Sequence, residues 1–217
     1  MDLNIGFHKE NLLLYAITDR SWLNGQTLYH QVEQALQGGV TCLQLREKTL
    51  PRQEFLQEAK EIKKLCGHYH VPLIINDDVE IALEAEADGV HVGQKDMDVP
   101  TVRKKLGNAK IIGVTAKTVE QALLAQKQGA DYLGTGAVFG TSTKKDAVSI
   151  STRQLEEICE AVHIPVVAIG GITAENMSEL AGSRINGIAV VSAIFAQTDI
   201  LKATEKLKAA ITELLFT

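Results

Sequence analysis

At 217 residues, 45% hydrophobic and 23% charged, the chain holds apolar material for one sizeable core, a length that a single α/β barrel absorbs. A formal charge of −5 excludes a general attraction to nucleic acid or to an anionic membrane surface, so any anionic ligand must be caught by a local field. The opening stretch MDLNIGFHKENLLLYAITD lacks the basic-then-apolar order of an export signal, and the apolar runs around 12–17 and 188–195 are too short to cross a bilayer. Cys42, Cys66 and Cys159 are odd in number and lack Cys-x-x-Cys spacing, which fits a reducing cytoplasm and small buried thiols. The expectation is a soluble cytoplasmic protein of one domain, 1–217, with residues 1–11 as a leader.

The first β-rich run, LLLYAIT (12–18), ends in Thr18-Asp19 and is followed by helical TLYHQVEQALQGG (27–39). VTCLQLR (40–46) leads into Arg46-Glu47-Lys48 and the helical stretch PRQEFLQEAKEIKKL (51–65). PLIIN (72–76) ends at Asn76-Asp77, and GVHV (89–92) at Gly93-Gln94-Lys95-Asp96. KIIGVT (110–115) ends at Thr115 before TVEQALLAQKQG (118–129), and DYLGTG (131–136) runs into GTSTKKDAV (140–148) before STRQLEEICEAV (151–162). The last two runs are PVVAIGG (165–171) and GIAVVS (187–192). Thr118 with Gln121 and Ser151 with Gln154 mark helix starts, while Gly38-Gly39, Gly129 and Gly182 mark helix ends.

Eight β-then-α phrases predict a parallel sheet with helical crossovers, and in this length a single TIM (β/α)8 barrel of the α/β class. A doubly wound open sheet is the competing architecture, disfavoured because no Gly-x-Gly-x-x-Gly follows the first strand. A barrel gathers the C-terminal ends of all its strands on one face, and nearly every end here is polar. Alternation puts Gln44 and Arg46 on one face of the second strand and Leu43 and Leu45 on the other, with Lys48 continuing the polar side. These polar groups form either a ligand site or an internal network with acids from other strands.

Asp77 and Asp96 follow adjacent strands, where two carboxylates and a phosphate suit Mg²⁺. Asp77-x-x-Glu80 equally reads as a capping box, whereas Asp98 before Val99-Pro100 is the natural cap of the next helix and leaves Asp96 without a structural task. The loop bearing Thr141, Ser142, Thr143, Lys144 and Lys145 is too polar to be buried and reads as an anion clamp or as a solvated turn. AIGGIT (168–173) and VVSAI (190–194) offer backbone amides where many barrels hold a phosphate. His91 reads first as a hydrogen-bonded core residue and second as an acid/base group.

Taken together, LYAITD, GGVTCLQLREK, INDDVEIALEAEADGVHVGQKD, IIGVTA, GADYLGTGAVFGTSTKKDA, PVVAIGGIT and GIAVVSAI resemble the thiamine-phosphate synthase family over almost the entire chain. The resemblance implies a transferase that joins an aminopyrimidine diphosphate to a thiazole phosphate. It implies that Arg46, Lys48, Asn76 and Lys144, with Glu47 among them, hold the diphosphate, and that Asp77 and Asp96 bind Mg²⁺. Gln44, Tyr15 and Thr115 would meet the pyrimidine, and Thr141, Ser142, Thr143, Gly171, Val191 and Ser192 the thiazole phosphate. The implied partners are small-molecule substrates and a second copy of the chain, with no nucleic acid and no membrane. Rival readings on the same barrel are a thiazole tautomerase and a non-catalytic thiamine-phosphate sensor.

Overall fold

A computed structural model describes residues 7–140 and 149–216. Among them, eight strands close into a parallel barrel in chain order: β1 (Leu14–Ile17), β2 (Cys42–Leu45), β3 (Leu73–Asn76), β4 (Gly89–Val92), β5 (Ile111–Thr115), β6 (Tyr132–Gly136), β7 (Val166–Ile169) and β8 (Gly187–Val190), which pairs back to β1. The period-two alternation of each strand makes two apolar layers. Leu43, Leu45, Leu73, Ile75, Val90 and Leu133 face outward and pack under the helices. Tyr15, Ile17, Cys42, Ile74, Tyr132, Val167 and Ala189 fill the interior.

The crossovers are α1 (Leu28–Gln37), α2 (Arg52–His68), α3 (Val79–Glu84), α4 (Val99–Leu106), α5 (Val119–Gln128) and α6 (Thr152–Ala161), with α7 (Ser192–Phe195) and α8 (Ile200–Phe216) closing the chain. Thr118 and Ser151 accept from the amides of Gln121 and Gln154, as their spacing predicts. At the end of α1 it is Gly39 that takes the left-handed conformation, at φ 99°, while Gly38 remains helical. The seventh crossover is the exception: a 3-10 turn, Met177–Leu180, stands where the repeat would put a helix.

At the N-terminal rim one device occurs four times. The residue just before each even-numbered strand exchanges two hydrogen bonds with the neighbouring odd strand, one through its backbone and one through its side chain. Thr41, Asp88, Asp131 and Asn186 accept from the amides of Leu14, Leu73, Ile112 and Val166 at 2.8, 2.7, 2.7 and 2.9 Å. Their own amides donate back to the same four residues at 2.9, 2.9, 2.8 and 2.8 Å. Lys63 and Arg103 reinforce the two aspartates. Each side chain satisfies a strand amide that has no ladder partner beyond the rim.

Asp131→Ala should therefore destabilise the barrel by about 1–3 kcal/mol, the cost of an unpaired buried amide, whereas Asp131→Asn, which retains the acceptor, should lose less. Urea midpoints of the two variants check this, and equal losses would refute it.

Candidate active site

The mouth is assembled from strand ends. Arg46, just past β2, is held by its own amide donating to the Thr18 hydroxyl at 3.0 Å, and its guanidinium reaches Asp19 at only 3.4 Å. One turn of loop later, Lys48 Nζ donates to Asp77 Oδ2 at 2.6 Å. Asp77 adopts φ +62°, and Asp78 caps α3 by accepting from the Ile81 amide. The capping box open to Asp77 in the sequence is thus filled by its neighbour, and the left-handed turn frees the Asp77 carboxyl for the mouth.

There Asp77 and Asp96 lie close enough for each to shift the other's ionisation. Burial works against the Asp77 charge, but the Lys48 ammonium, with Asp96 and Asn76, holds its carboxyl below the ordinary range. Burial and the neighbouring Asp77 charge push Asp96 the other way, upward. Asp96 also has a structural task that its sequence position did not reveal: its carboxylate accepts from the Gly93 amide at 2.7 Å and closes that turn. Asp98 caps α4, as its spacing predicts.

Two neighbouring carboxyls that disfavour each other's charge form a site that a dication would relax. Among the described residues no cluster of three or more His, Cys, Asp or Glu side chains could hold a metal. Two carboxylates completed by phosphate oxygens match the habit of Mg²⁺, so the residues fit this ion with a diphosphate present. A cleft of about 330 Å³ opens beside them, lined among others by Lys48, Asn76 and Asp77. A larger groove of about 600 Å³ runs between the end of α1 and α8 and includes none of these strand ends.

Glu47 stands apart from its neighbours Arg46 and Lys48. Its side chain is 2% exposed and pairs with Arg20 at 2.6 Å, and Arg20 also holds Glu58. Consecutive residues of two loops therefore pair, Asp19 loosely with Arg46 and Arg20 closely with Glu47, and it is the second pair that sets the path of the cationic loop. Burial, with Glu58 adding to it against Arg20, pushes Glu47 up to about 7.

An acid raised in the folded state binds more protons there than in the unfolded chain, so stability falls as pH rises from about 4.5 to about 7. Glu47→Gln should flatten that slope in denaturant midpoints measured across pH 4.5–7.5. An unchanged slope would show that Glu47 is ionised throughout.

Below the mouth, polar side chains cross the barrel interior. Gln44 Nε2 donates to Tyr15 Oη at 2.7 Å, and the Tyr15 and Tyr132 hydroxyls lie 2.8 Å apart. His91 Nδ1 is 3.0 Å from Tyr132 Oη, and its Nε2 is 3.0 Å from Thr115 Oγ1. Gln94 donates to the Thr115 carbonyl at 2.6 Å. Tyr15 is 1% and Gln44 3% exposed, so both lie at the floor of the mouth, while Thr115 is partly open to it. His91 is the hydrogen-bonded interior residue its strand position suggested, and burial pulls it down to about 4.

Tyr132 was the residue the sequence hid. Its signal was the bare Gly113 across the strand pair, where an added Cβ would come within 2.1 Å of the Tyr132 ring.

At the far side of the mouth, Gly170 and Gly171 have φ of 101° and 67°. A Cβ on Gly171 would lie 2.3 Å from the Gly140 carbonyl, so only glycine lets the β7 end meet the start of the loop after β6. Asn176, also unforeseen, props this turn by donating to the Gly171 carbonyl at 2.9 Å. Val191 and Ser192 follow the end of β8 and open α7. Thr141, Ser142, Thr143 and Lys144 lie outside the described residues.

A family model for thiamine monophosphate synthase matches residues 14–194. A thiamine-phosphate synthase of Clostridium tetani (strain Massachusetts / E88) is 51% identical over 202 residues, 92% of this chain and 97% of its own. That of Ruminiclostridium cellulolyticum is 53% identical over 199 residues, 92% of this chain and 95% of its own. The solved thiamine phosphate pyrophosphorylase from Pyrococcus furiosus superposes with a TM-score of 0.89 at 40% identity, covering 95% of this chain and 98% of that one.

Proposed function

The chain belongs to the thiamine monophosphate synthase family, and from that premise we propose how its barrel mouth carries out the family's transfer. The substrates are 4-amino-2-methyl-5-hydroxymethylpyrimidine diphosphate and hydroxyethylthiazole phosphate, with or without a carboxyl group; the products are thiamine phosphate and diphosphate.

The bond from the pyrimidine methylene carbon to the diphosphate oxygen breaks first, and its electron pair leaves with the diphosphate. The amino-substituted ring stabilises the methylene cation left behind, and the lone pair of the neutral thiazole nitrogen closes the new C–N bond. No protein nucleophile is needed. What the chain supplies is charge compensation and alignment. Arg46, Lys48, Asn76 and Lys144 hold the diphosphate, and Asp77 and Asp96 hold Mg²⁺, which when bound neutralises developing charge on the leaving oxygens. Gln44, Thr115 and, beneath them, Tyr15 meet the pyrimidine. Gly171, Val191 and Ser192, with Thr141, Ser142 and Thr143, receive the thiazole phosphate.

The observation that carries this reading is the cluster Lys48, Asp77 and Asp96 beside Arg46, a cation-and-carboxylate set at one rim of a net acidic protein. A proton-moving tautomerase has no use for such a clamp. Purified protein mixed with both substrates and Mg²⁺ should yield thiamine phosphate by mass spectrometry and should stop on addition of a chelator. Absence of product would overturn the reading. A cytoplasmic location and a homodimer complete it, the latter to be read by sedimentation.

A further inference from the structure

The interior chain joins side chains from five strands, in the order Gln44 on β2, Tyr15 on β1, Tyr132 on β6, His91 on β4 and Thr115 on β5. We propose that Tyr132 and His91 are positioning residues that lock the hydrogen-bond polarity of the pyrimidine pocket, so that it accepts an amino-substituted ring and rejects the oxo counterpart. The proposal rests on the reading above that Gln44 and Thr115 are the two ends that meet the ring.

The argument is a count of hydrogens. Each hydroxyl carries one, and a neutral imidazole carries one on a single nitrogen. Gln44 Nε2 donates to Tyr15, so the Tyr15 hydrogen is left to donate to Tyr132. Tyr132 then donates to His91 Nδ1, which places the imidazole hydrogen on Nε2, facing Thr115. The Thr115 hydroxyl, already an acceptor, has its own hydrogen left for the mouth. At the other end the Gln44 carbonyl oxygen is left as an acceptor. The two ends therefore present opposite characters that are coupled through every member between them.

An aminopyrimidine presents the matching pair, an exocyclic N–H beside a ring nitrogen lone pair. An oxopyrimidine presents the reverse, a carbonyl beside a ring N–H: the Thr115 hydroxyl keeps a second lone pair for the N–H, but the ring carbonyl would face the Gln44 oxygen, and relieving that clash requires the Gln44 amide and the partners behind it to turn over together. A pocket whose buried groups must pair rejects the mismatched ligand far more strongly than an apolar pocket rejects a change of size.

The rings have little freedom to adapt. Tyr132 packs edge-on against Tyr15, with centroids 5.9 Å apart and an interplanar angle of 72°, and lies 5.5 Å from the His91 ring. Both occupy room left by glycine: the Tyr132 ring covers Gly113, and a Cβ on Gly134 would meet His91 Cε1 at 3.0 Å.

The test compares kcat/KM for the 4-amino and 4-oxo pyrimidine diphosphates in wild type, Tyr132→Phe and His91→Phe, with folding checked by thermal melts. Wild type should favour the amino ring by about a hundredfold or more. Either variant cuts the chain while retaining a ring, and should narrow that ratio at least about tenfold with the KM for thiazole phosphate unchanged. A ratio that stays at the wild-type value in a folded variant overturns the inference, even if overall activity drops. Should one variant fail to fold, the other reads the same ratio, and Thr115→Val, which removes the terminal hydroxyl, must narrow it too. A wild-type protein inactive on the 4-amino substrate would instead refute the functional reading, and this inference with it.

Discussion

Arg46→Ala is expected to lower kcat/KM for the pyrimidine diphosphate by about two to three orders of magnitude, the size of effect found when one preorganised donor to a developing anion is removed. The guanidinium is available for this work because its protein partner is weak: Asp19 lies at 3.4 Å, beyond a good charge-assisted hydrogen bond. The backbone at Arg46 is held independently through the Thr18 hydroxyl, so truncating the side chain should leave the loop path and the thermal midpoint close to wild type. Arg46→Lys should recover part of the loss, since charge is restored but not the two-pronged donor geometry that fits a diphosphate. Lys144→Ala should act in the same direction on the same substrate. Steady-state kinetics with each substrate varied in turn decide the matter, and wild-type turnover in Arg46→Ala would remove the diphosphate clamp.

Asp77→Asn and Asp96→Asn are expected to raise the Mg²⁺ concentration for half-maximal activity at least about tenfold, because even partners one shell further from a metal cost that much. Asp96→Asn is the more informative of the two. Asparagine retains the oxygen that accepts from the Gly93 amide, so the turn survives. It also removes a like charge from beside Asp77, so the metal-free protein should melt no lower than wild type and slightly higher if the repulsion is felt. Function falling while metal-free stability holds is the signature of a ligand. An unchanged Mg²⁺ titration would assign Asp96 to the turn alone.

The contrast between Asp77 and Asp78 shows where a linear reading stops. Spacing points to Asp77-x-x-Glu80 as a capping box, yet it is Asp78 that caps α3. The choice follows from the positive φ at Asp77, which the β3-to-α3 junction imposes and which turns one carboxyl to the mouth and the other to the helix. Glu47 is a similar case. It sits between two cations of a ligand-facing motif, yet its side chain packs on Arg20 and Glu58, residues 27 and 11 positions away in the chain.

By itself the sequence determined the strands, their inward and outward faces, most helix caps and the polarity of the strand ends, because these depend on residues two to four positions apart. Only closure of the barrel decided which distant groups meet: Lys48 with Asp77, Asp77 with Asp96, and Gln44 with Thr115 through two tyrosines and a histidine. Such pairings depend on register across strands and on the space that Gly113 and Gly134 leave inside, quantities that exist only once β8 has paired with β1.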